Sequence, residues 1–174
     1  MKKSISMLVC MLYLATGLSH AAQPKPQKWT ELRNIEFAEY CLALPLEGYA
    51  EDFKQSDVKG KHVFTNRARK KSEIVVWGLD NAYSKAAPEI YFKRYYGGAE
   101  EQGQILEERK LDAAAKRFYG WGYWSNSRHE TRFLEIVWLR DKEVVKFQAT
   151  FPVADMNLWK ARLPHLLAQT TACK

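Results

Sequence analysis

The sequence predicts an α+β fold: a central antiparallel β-sheet with helices packed on it, within a single domain. Three observations predict this class. Most apolar segments have the length and alternation of strands, short polar turns join successive strands, and only two segments repeat at helical spacing. Runs of antiparallel strands with segregated helices are typical of an α+β sandwich.

The predicted elements follow in the order strand, hairpin, helix, four-strand meander and helix. The first strand covers residues 34–44 and ends at Pro45. The hairpin joins residues 62–66 to the β-branched run 73–79, which we expect to be buried on both faces. The meander strands are predicted over residues 104–111, 117–124, 131–140 and 143–151.

The last two strands of the meander form the clearest predicted hairpin, with Asp141 and Lys142 at its turn. Apolar and polar residues alternate along its second strand, which predicts one core face and one solvent face. Trp77 and Trp138, on other strands, are assigned to the core. The apolar positions of the alternating strand are Val145, Phe147, Ala149 and Phe151, and the polar positions are Lys146, Gln148 and Thr150.

The first helix is predicted over residues 85–96. Ser84 is a candidate N-cap, Pro88 fits only a first turn, and Gly97 with Gly98 would supply a left-handed end. The predicted inward face mixes apolar and polar side chains, so we expect an amphipathic helix: Ala87, Ile90, Tyr91, Arg94 and Tyr95.

The second helix is predicted to begin near Asp155, after Pro152. Pro164 lies inside it and should kink it or split it into two short helices. Its apolar residues recur at helical spacing and predict a buried stripe: Met156, Trp159, Leu163, Leu166 and Leu167.

This order of elements resembles the PsbP-like fold group, which includes the extrinsic photosystem protein and small bacterial envelope proteins. The segment EIVVWGLDNAYSKAAPEIYFKRYYGG, as strand into helix, and the closing helix after the last hairpin account for the resemblance. It covers most of the mature chain and rests on element order, not on a motif. The resemblance implies a helix-covered antiparallel sheet and an accessory or binding role, and it assigns no functional residue.

The first 21 residues have the three parts of an export signal. Lys2 and Lys3 give a positive start, residues 7–18 are almost entirely apolar, and small residues precede a cleavage site after Ala21. The apolar run is shorter than the roughly 20 residues that a membrane-spanning helix needs. We therefore expect a periplasmic protein that is exported through a cleavable signal peptide, not a membrane-spanning one.

Cleavage would leave a flexible lead over residues 22–28 and one globular domain over residues 29–174. The chain is 47% hydrophobic and 13% aromatic, which excludes a disordered protein. The mature part retains Cys41 and Cys173, and two cysteines in an exported protein are most simply a disulfide. The alternative, a redox or catalytic thiol, would favour closely spaced cysteines or a histidine beside one of them.

A basic segment spans residues 59–71 and contains no acidic residue. The chain has a net charge of +7, and removing Lys2 and Lys3 leaves +5 on the mature protein. Such a patch attracts an envelope protein, a glycan or an anionic membrane surface; nucleic acid suits the charge but not the compartment. The alternative is a merely solvated turn. The candidate binding residues are Arg67, Arg69, Lys70 and Lys71.

An aromatic strand is the second candidate surface. Alternation along residues 117–124 places Tyr119, Trp121 and Tyr123 on one face, where they could form a platform for a sugar, a peptide or a protein. Gly120, Gly122 and their neighbours on the other face would let a helix approach closely. The alternative is that the aromatic side chains simply pack a helix-covered sheet.

No catalytic or metal-binding pattern is present in the sequence. The mature chain has three histidines, His62, His129 and His165, and none lies at chelating spacing from another or from a cysteine. His129 is followed by Glu130 and has Ser127 nearby, but the ordinary interpretation is a solvated turn between strands. We therefore predict no catalytic residue, no metal and no cofactor.

Three functions remain open from the sequence. The first is an exported, non-enzymatic binding or accessory protein that acts through the aromatic strand and the basic hairpin. The alternative is an immunity or inhibitor protein that neutralises a periplasmic toxin or hydrolase. The third is a hydrolase with an unrecognised site.

Overall fold

Seven antiparallel strands form one sheet, and a separate pair of short strands precedes it. The computed structural model describes residues 31–34, 41–56, 60–80, 86–127, 130–141 and 143–168. Its elements are β1 (Glu31–Asn34), β2 (Cys41–Leu44), β3 (Tyr49–Glu51), β4 (Lys61–Asn66), β5 (Glu73–Asp80), α1 (Pro88–Gly97), β6 (Gln104–Asp112), β7 (Arg117–Trp124), β8 (Thr131–Leu139), β9 (Glu143–Pro152) and α2 (Met156–Leu167).

The order of strands across the sheet is β3-β4-β5-β9-β8-β7-β6, with every neighbouring pair antiparallel. The predicted hairpin is β4 and β5, and the predicted meander is β6 to β9. The α+β class, the single domain and the central antiparallel sheet are thus confirmed. The first strand was predicted wrongly as one segment, because residues 31–34 and 41–44 pair with each other as two short strands.

One face of the sheet packs against α2 and forms the larger core. Trp159 of α2 stacks on Phe151 of β9 with ring centroids 5.3 Å apart. The predicted stripe of α2 is confirmed, since Trp159, Leu163 and Leu166 are buried and its other members pack against them. Of the two outcomes predicted for Pro164, a kink or a split, the split is wrong, because the helix continues through this residue.

The opposite face packs against α1, which corrects the prediction of a solvent face on β9. Gln148 is only 9% exposed, and the side chain of Lys146 is 12% exposed, because α1 and its neighbours cover them. Trp138 is buried as predicted, whereas Trp77 is only half-buried. The smaller core on this side comprises Tyr96, Ala99, Phe118, Val137, Leu139 and Val144.

The two glycines of β7 allow close approach of two different elements, α1 at Gly120 and β6 at Gly122. A Cβ atom on Gly120 would lie 2.6 Å from the Tyr96 hydroxyl, so its absence lets α1 approach, as predicted. A Cβ atom on Gly122 would lie 1.9 Å from the carbonyl oxygen of Ile105 on β6. That strand bulges here, between Leu106 and Glu108, so Gly122 accommodates a neighbouring strand and not a helix.

The ends and the inward face of α1 differ from the prediction. Pro88 begins the helix as expected of a first-turn proline. Gly98 has a φ of −104°, so the predicted left-handed end is wrong. Tyr91 and Tyr95 face the sheet as predicted, but Ile90 is 50% exposed and the unpredicted Tyr96 is buried.

Several predictions concern residues that the structure does not describe. The signal peptide over residues 1–21, the lead over residues 22–28 and Cys173 lie outside the described residues. Ser84 and His129 lie outside them as well, while the backbone of Cys41 begins β2. Export, the disulfide and the role of His129 therefore stay predictions. Among the described residues, neither helix is long and apolar enough to cross a membrane.

Candidate functional site

Residues 67–72 connect β4 to β5 and form what we call the basic turn. The Asn66 side-chain oxygen accepts hydrogen bonds from the backbone N–H groups of Ala68 and Arg69, both at 3.0 Å. Lys71 adopts a φ of 64°, and the N–H of Ser72 donates to the carbonyl of Arg69. These local bonds give the turn a defined backbone conformation.

Two of the four predicted binding cations are held by acids from distant parts of the chain. Nη1 of Arg69 lies 2.6 Å from both carboxylate oxygens of Asp155, at the start of α2. Nζ of Lys71 lies 2.5 Å from a carboxylate oxygen of Glu130. The hydrogen bond and charge of Lys71 lower the pKa of the Glu130 carboxyl. The basic segment over residues 59–71 contains no acidic residue, but the fold places Asp155 and Glu130 beside it.

Arg67 and Lys70 are the other two cations of the basic turn, and both are exposed. Neither forms an ion pair with any residue that the structure describes. The basic turn therefore anchors itself through Arg69 and Lys71 and presents Arg67 and Lys70 to solvent.

A cleft of about 370 Å³ opens between the basic turn, β3 and the first turns of α2; we call it the α2 cleft. Arg162 forms part of its wall, is 8% exposed and lies over the Trp159 ring at 4.7 Å. Burial lowers the pKa of Arg162 and raises that of Tyr49, which faces the same cleft. The lining residues are Glu47, Gly48, Tyr49, Asn66, Ala68, Arg69, Asp155, Leu158, Trp159 and Arg162.

The aromatic strand is β7, and its side chains alternate as predicted. Tyr119 and Trp121 stack with centroids 5.9 Å apart and pack partly against the larger core. Lys160 of α2 lies over Trp121 at 5.0 Å, and Arg132 lies over Tyr123 at 4.9 Å. The ring faces that a sugar would need to stack on are thus already in contact with neighbouring rings or with cationic side chains.

A buried ion pair lies beneath α1 and was missed from the sequence. Glu135 of β8 is 0% exposed, and its Oε2 lies 3.2 Å from Nζ of Lys146. The Tyr95 hydroxyl donates to the same oxygen at 3.1 Å. Lys146 also lies between the rings of Trp77 and Tyr95, at 4.7 and 4.9 Å. The sequence feature that could have revealed this pair is Glu135, an acidic residue within the largely apolar strand β8, TRFLEIVWL.

The buried polar layer is not fully hydrogen bonded among the described residues. Oε1 of Glu135, the hydroxyl of Tyr96 and Nε2 of Gln148 have no partner there. Burial, together with the charge of Glu135, raises the pKa values of Tyr95 and Tyr96 far above the ordinary range. Both phenols therefore stay protonated. Glu135 and its neighbours act as a polar layer inside the fold, shielded from any substrate by α1.

Two histidines lie in the part of the chain that the structure describes, His62 on β4 and His165 on α2. Nδ1 of His62 on β4 lies 3.1 Å from Oε1 of Glu51 on the neighbouring edge strand β3, and His165 is exposed on α2. Across the described residues, no group of three or more histidine, cysteine or acidic side chains is placed to hold a metal ion.

The arrangement defines an α+β protein whose antiparallel sheet is covered by a helix on each face. Among solved structures, the chain is similar to the solution structure of cyanobacterial PsbP (CyanoP) from Synechocystis sp. PCC 6803. The identity is 12% and the TM-score 0.48, over 78% of this chain and 87% of that chain. That protein bears the name of the group that the element order resembles, and the likeness concerns the fold alone. No family model and no curated protein matches the chain.

Proposed function

We propose that this is an exported, non-enzymatic binding or accessory protein of the bacterial envelope, and that the basic turn contacts an anionic partner. The observation that supports the proposal is that two cations of that turn are held in ion pairs while the other two are exposed. Arg69 and Lys71 are held by Asp155 and Glu130, while Arg67 and Lys70 are exposed and unpaired among the described residues. A turn that is already ordered loses little conformational entropy when a partner binds.

The aromatic strand is proposed as a secondary contact. Tyr119, Trp121 and Tyr123 border α2 or the neighbouring strands, and Lys160 and Arg132 add positive charge beside their rings. A partner that covered α2 would meet both this surface and the basic turn. Its chemistry would be acidic, because Arg67, Lys70 and Lys160 form no ion pair among the described residues, whereas Arg132 is paired with Glu107.

An inhibitor or immunity function is the second candidate, and the rigidity of the basic turn favours it. A fixed cationic turn can enter an acidic active site at a low cost in entropy. The test that separates it from a general binding role is inhibition of an envelope hydrolase or toxin by the purified protein.

The binding experiment compares the mature wild-type protein with the Arg67→Glu/Lys70→Glu variant. Three supports are used: vesicles containing anionic lipid, a sulfated dextran, and envelope proteins immobilised after extraction. We expect at least one support to retain the wild type and to lose the variant, with retention falling as salt increases.

The matched control reverses two exposed cations elsewhere, as Lys93→Glu/Lys110→Glu, and changes the net charge by the same amount. Retention that falls equally in both variants would show a net-charge effect and contradict a role for the basic turn. A hydrolytic activity that survives both variants would contradict the non-enzymatic part of the proposal.

Export and oxidation are part of the same proposal. When the full chain is expressed in a bacterium, we expect the periplasmic product to begin at Ala22. Its intact mass should be lower by two hydrogen atoms than that of the reduced form, as a disulfide between Cys41 and Cys173 requires. A cytoplasmic, uncleaved product would contradict export, and free thiols in the periplasmic product would contradict the disulfide.

A further inference from the structure

We infer that the outer edge of β6 is an association surface for a second copy of this chain. In the proposed dimer the two β6 strands pair antiparallel, so that two seven-stranded sheets join into one continuous sheet. The surface is separate from the basic turn, which connects β4 to β5. The dimer therefore does not depend on which partner the basic turn contacts.

The strand β6 lies at one edge of the sheet, with β7 on its inner side. It is nine residues long, whereas β3 at the opposite edge has only three. The backbone N–H and C=O groups on the outer side of an edge strand have no partner within their own sheet. Among the described residues, no turn or loop backbone forms a hydrogen bond with residues 105–112. The outer edge of β6 is therefore open to a further strand.

The exposed side chains of β6 form an acidic block followed by a basic block. Glu107 and Glu108 precede Arg109 and Lys110, and all four are exposed. Glu107 is paired with Arg132, but the other three form no ion pair with any described residue. Charged side chains on an edge strand normally discourage pairing with unrelated strands. An antiparallel second copy instead places the acidic half of each strand beside the basic half of the other.

The two faces of the sheet determine the register of this pairing. In an antiparallel pair, side chains directly opposite each other lie on the same face. Glu108 and Lys110 pair with Trp121 and Tyr119 of β7, whose side chains pack on the α2 side of the sheet. A two-fold axis at Arg109 therefore brings Glu108 of each copy opposite Lys110 of the other.

The bulge of β6 is compatible with the same register. Glu107 is the additional residue of the bulge, so the alternation of faces shifts by one position there. Leu106 and Leu111 both pack against the smaller core and therefore lie on the α1 side. With Glu107 outside the pairing, Leu106 of one copy lies opposite Leu111 of the other. The interface then contains two acid–base pairs and two leucine pairs.

The two-fold axis places the Arg109 side chains of the two copies opposite each other on the α1 side. Glu100 lines the same cleft of about 220 Å³ as Arg109 and is exposed. It forms no ion pair with any described residue, so its charge can compensate part of the repulsion between the two arginines. Residue 109 is thus the position that faces its own counterpart, which gives the register a direct test.

The test is sedimentation equilibrium of the mature protein and of its charge variants. We expect the wild type to dimerise with a dissociation constant below about 100 μM. Glu108→Lys and Lys110→Glu each convert both acid–base pairs into like-charge pairs, and each should raise that constant at least about tenfold. The double variant Glu108→Lys/Lys110→Glu restores opposite charges and should dimerise as the wild type does.

The two single variants should also complement each other. In an equimolar mixture of Glu108→Lys and Lys110→Glu, opposite charges face each other at both pairs, so a heterodimer should form where each variant alone is mostly monomeric. The matched control mixes Glu89→Lys with Lys93→Glu, which change the net charge by the same amounts at exposed positions of α1. These two variants should dimerise as the wild type does, both alone and mixed.

Cross-linking tests the register itself. Arg109→Cys places two thiols opposite each other across the axis, at a separation of Cα atoms that a disulfide allows, so the oxidised variant should form a covalent dimer. Lys110→Cys faces Glu108 of the other copy and should form far less of this product. The wild type measures any background from Cys41 and Cys173.

Three results would overturn the inference: a wild type that stays monomeric at about 1 mM, a double charge variant no better at dimerising than the single ones, or equal cross-linking of Arg109→Cys and Lys110→Cys. The binding proposed for the basic turn would survive any of them, since Arg67 and Lys70 are unchanged in every variant. Retention of Lys110→Glu alone on the anionic supports separates an effect of the dimer from an effect of the basic turn.

Discussion

Glu135 and Lys146 form an ion pair of 3.2 Å between β8 and β9, and the glutamate has no exposed surface. They are not directly opposite each other, since Glu135 pairs with Gln148 in the register of the two strands. The pair lies on the sheet face that α1 covers, so both charged side chains are largely buried there and not exposed to solvent.

Removing one partner of this pair should destabilise the fold strongly. Lys146→Met leaves the Glu135 carboxylate buried without its cation, which costs about 3–5 kcal/mol. Urea denaturation of the mature protein measures the free energy of unfolding. The double variant Lys146→Met/Glu135→Leu removes both charges and should recover most of the loss. A double variant no more stable than Lys146→Met would contradict the pairing.

The tyrosines beneath α1 predict a loss of stability at alkaline pH. Their pKa values are raised in the folded protein, so Tyr95 and Tyr96 stay neutral while the unfolded chain ionises near pH 10. Their contribution is complete below that pH and decreases above it, by about 1.4 kcal/mol per pH unit for each tyrosine. Urea midpoints between pH 9 and 11 measure this.

The control for the alkaline effect is the Tyr96→Phe variant. Phenylalanine cannot ionise, so the variant should lose the contribution of Tyr96. The decrease in the free energy of unfolding per pH unit should then be about half of that expected from Tyr95 and Tyr96 together. At neutral pH the change should cost little, because the Tyr96 hydroxyl has no hydrogen-bond partner among the described residues. An unchanged slope in this variant would exclude Tyr96 as a source.

Gly120 is expected to be intolerant of a side chain. Gly120→Ala places a Cβ atom 2.6 Å from the Tyr96 hydroxyl and should destabilise the protein by about 1–3 kcal/mol. Adding Tyr96→Phe removes the clashing oxygen and should restore part of the stability. Thermal unfolding of the single and double variants gives the coupling energy, and strict additivity would show that the contact is absent.

The aromatic strand can be tested for a structural or a binding role. Trp121→Ala removes the stacking with Tyr119 and the contact with Lys160, and should cost about 1–3 kcal/mol. Tyr123→Ala, whose ring contacts Arg132, should cost less, because Tyr123 is not among the residues packed against the larger core. If Tyr123→Ala also abolishes retention of the partner, the strand binds; if retention is unchanged, its role is structural.

The sequence determined six of the seven strands of the sheet, β4 to β9, because strand alternation is a local property, but it did not predict the edge strand β3. The segments of β4 to β9 lie within one or two residues of their predicted ends. The stripe of α2 was equally readable, since Trp159, Leu163 and Leu166 follow helical spacing. The conformations of single residues were harder to predict from the sequence. Gly98 does not adopt the left-handed conformation, and Pro164 does not divide the helix.

The charge of the basic segment was evident in the sequence, but its neutralisation was decided by tertiary contacts. Arg69 meets Asp155 across 86 positions of the chain, and Lys71 meets Glu130 across 59. The placement of α1 on the second face likewise converted the polar side of β9 into a buried layer around Glu135. Local patterns follow from the backbone of each element, whereas pairing of distant charges depends on which elements the fold brings together.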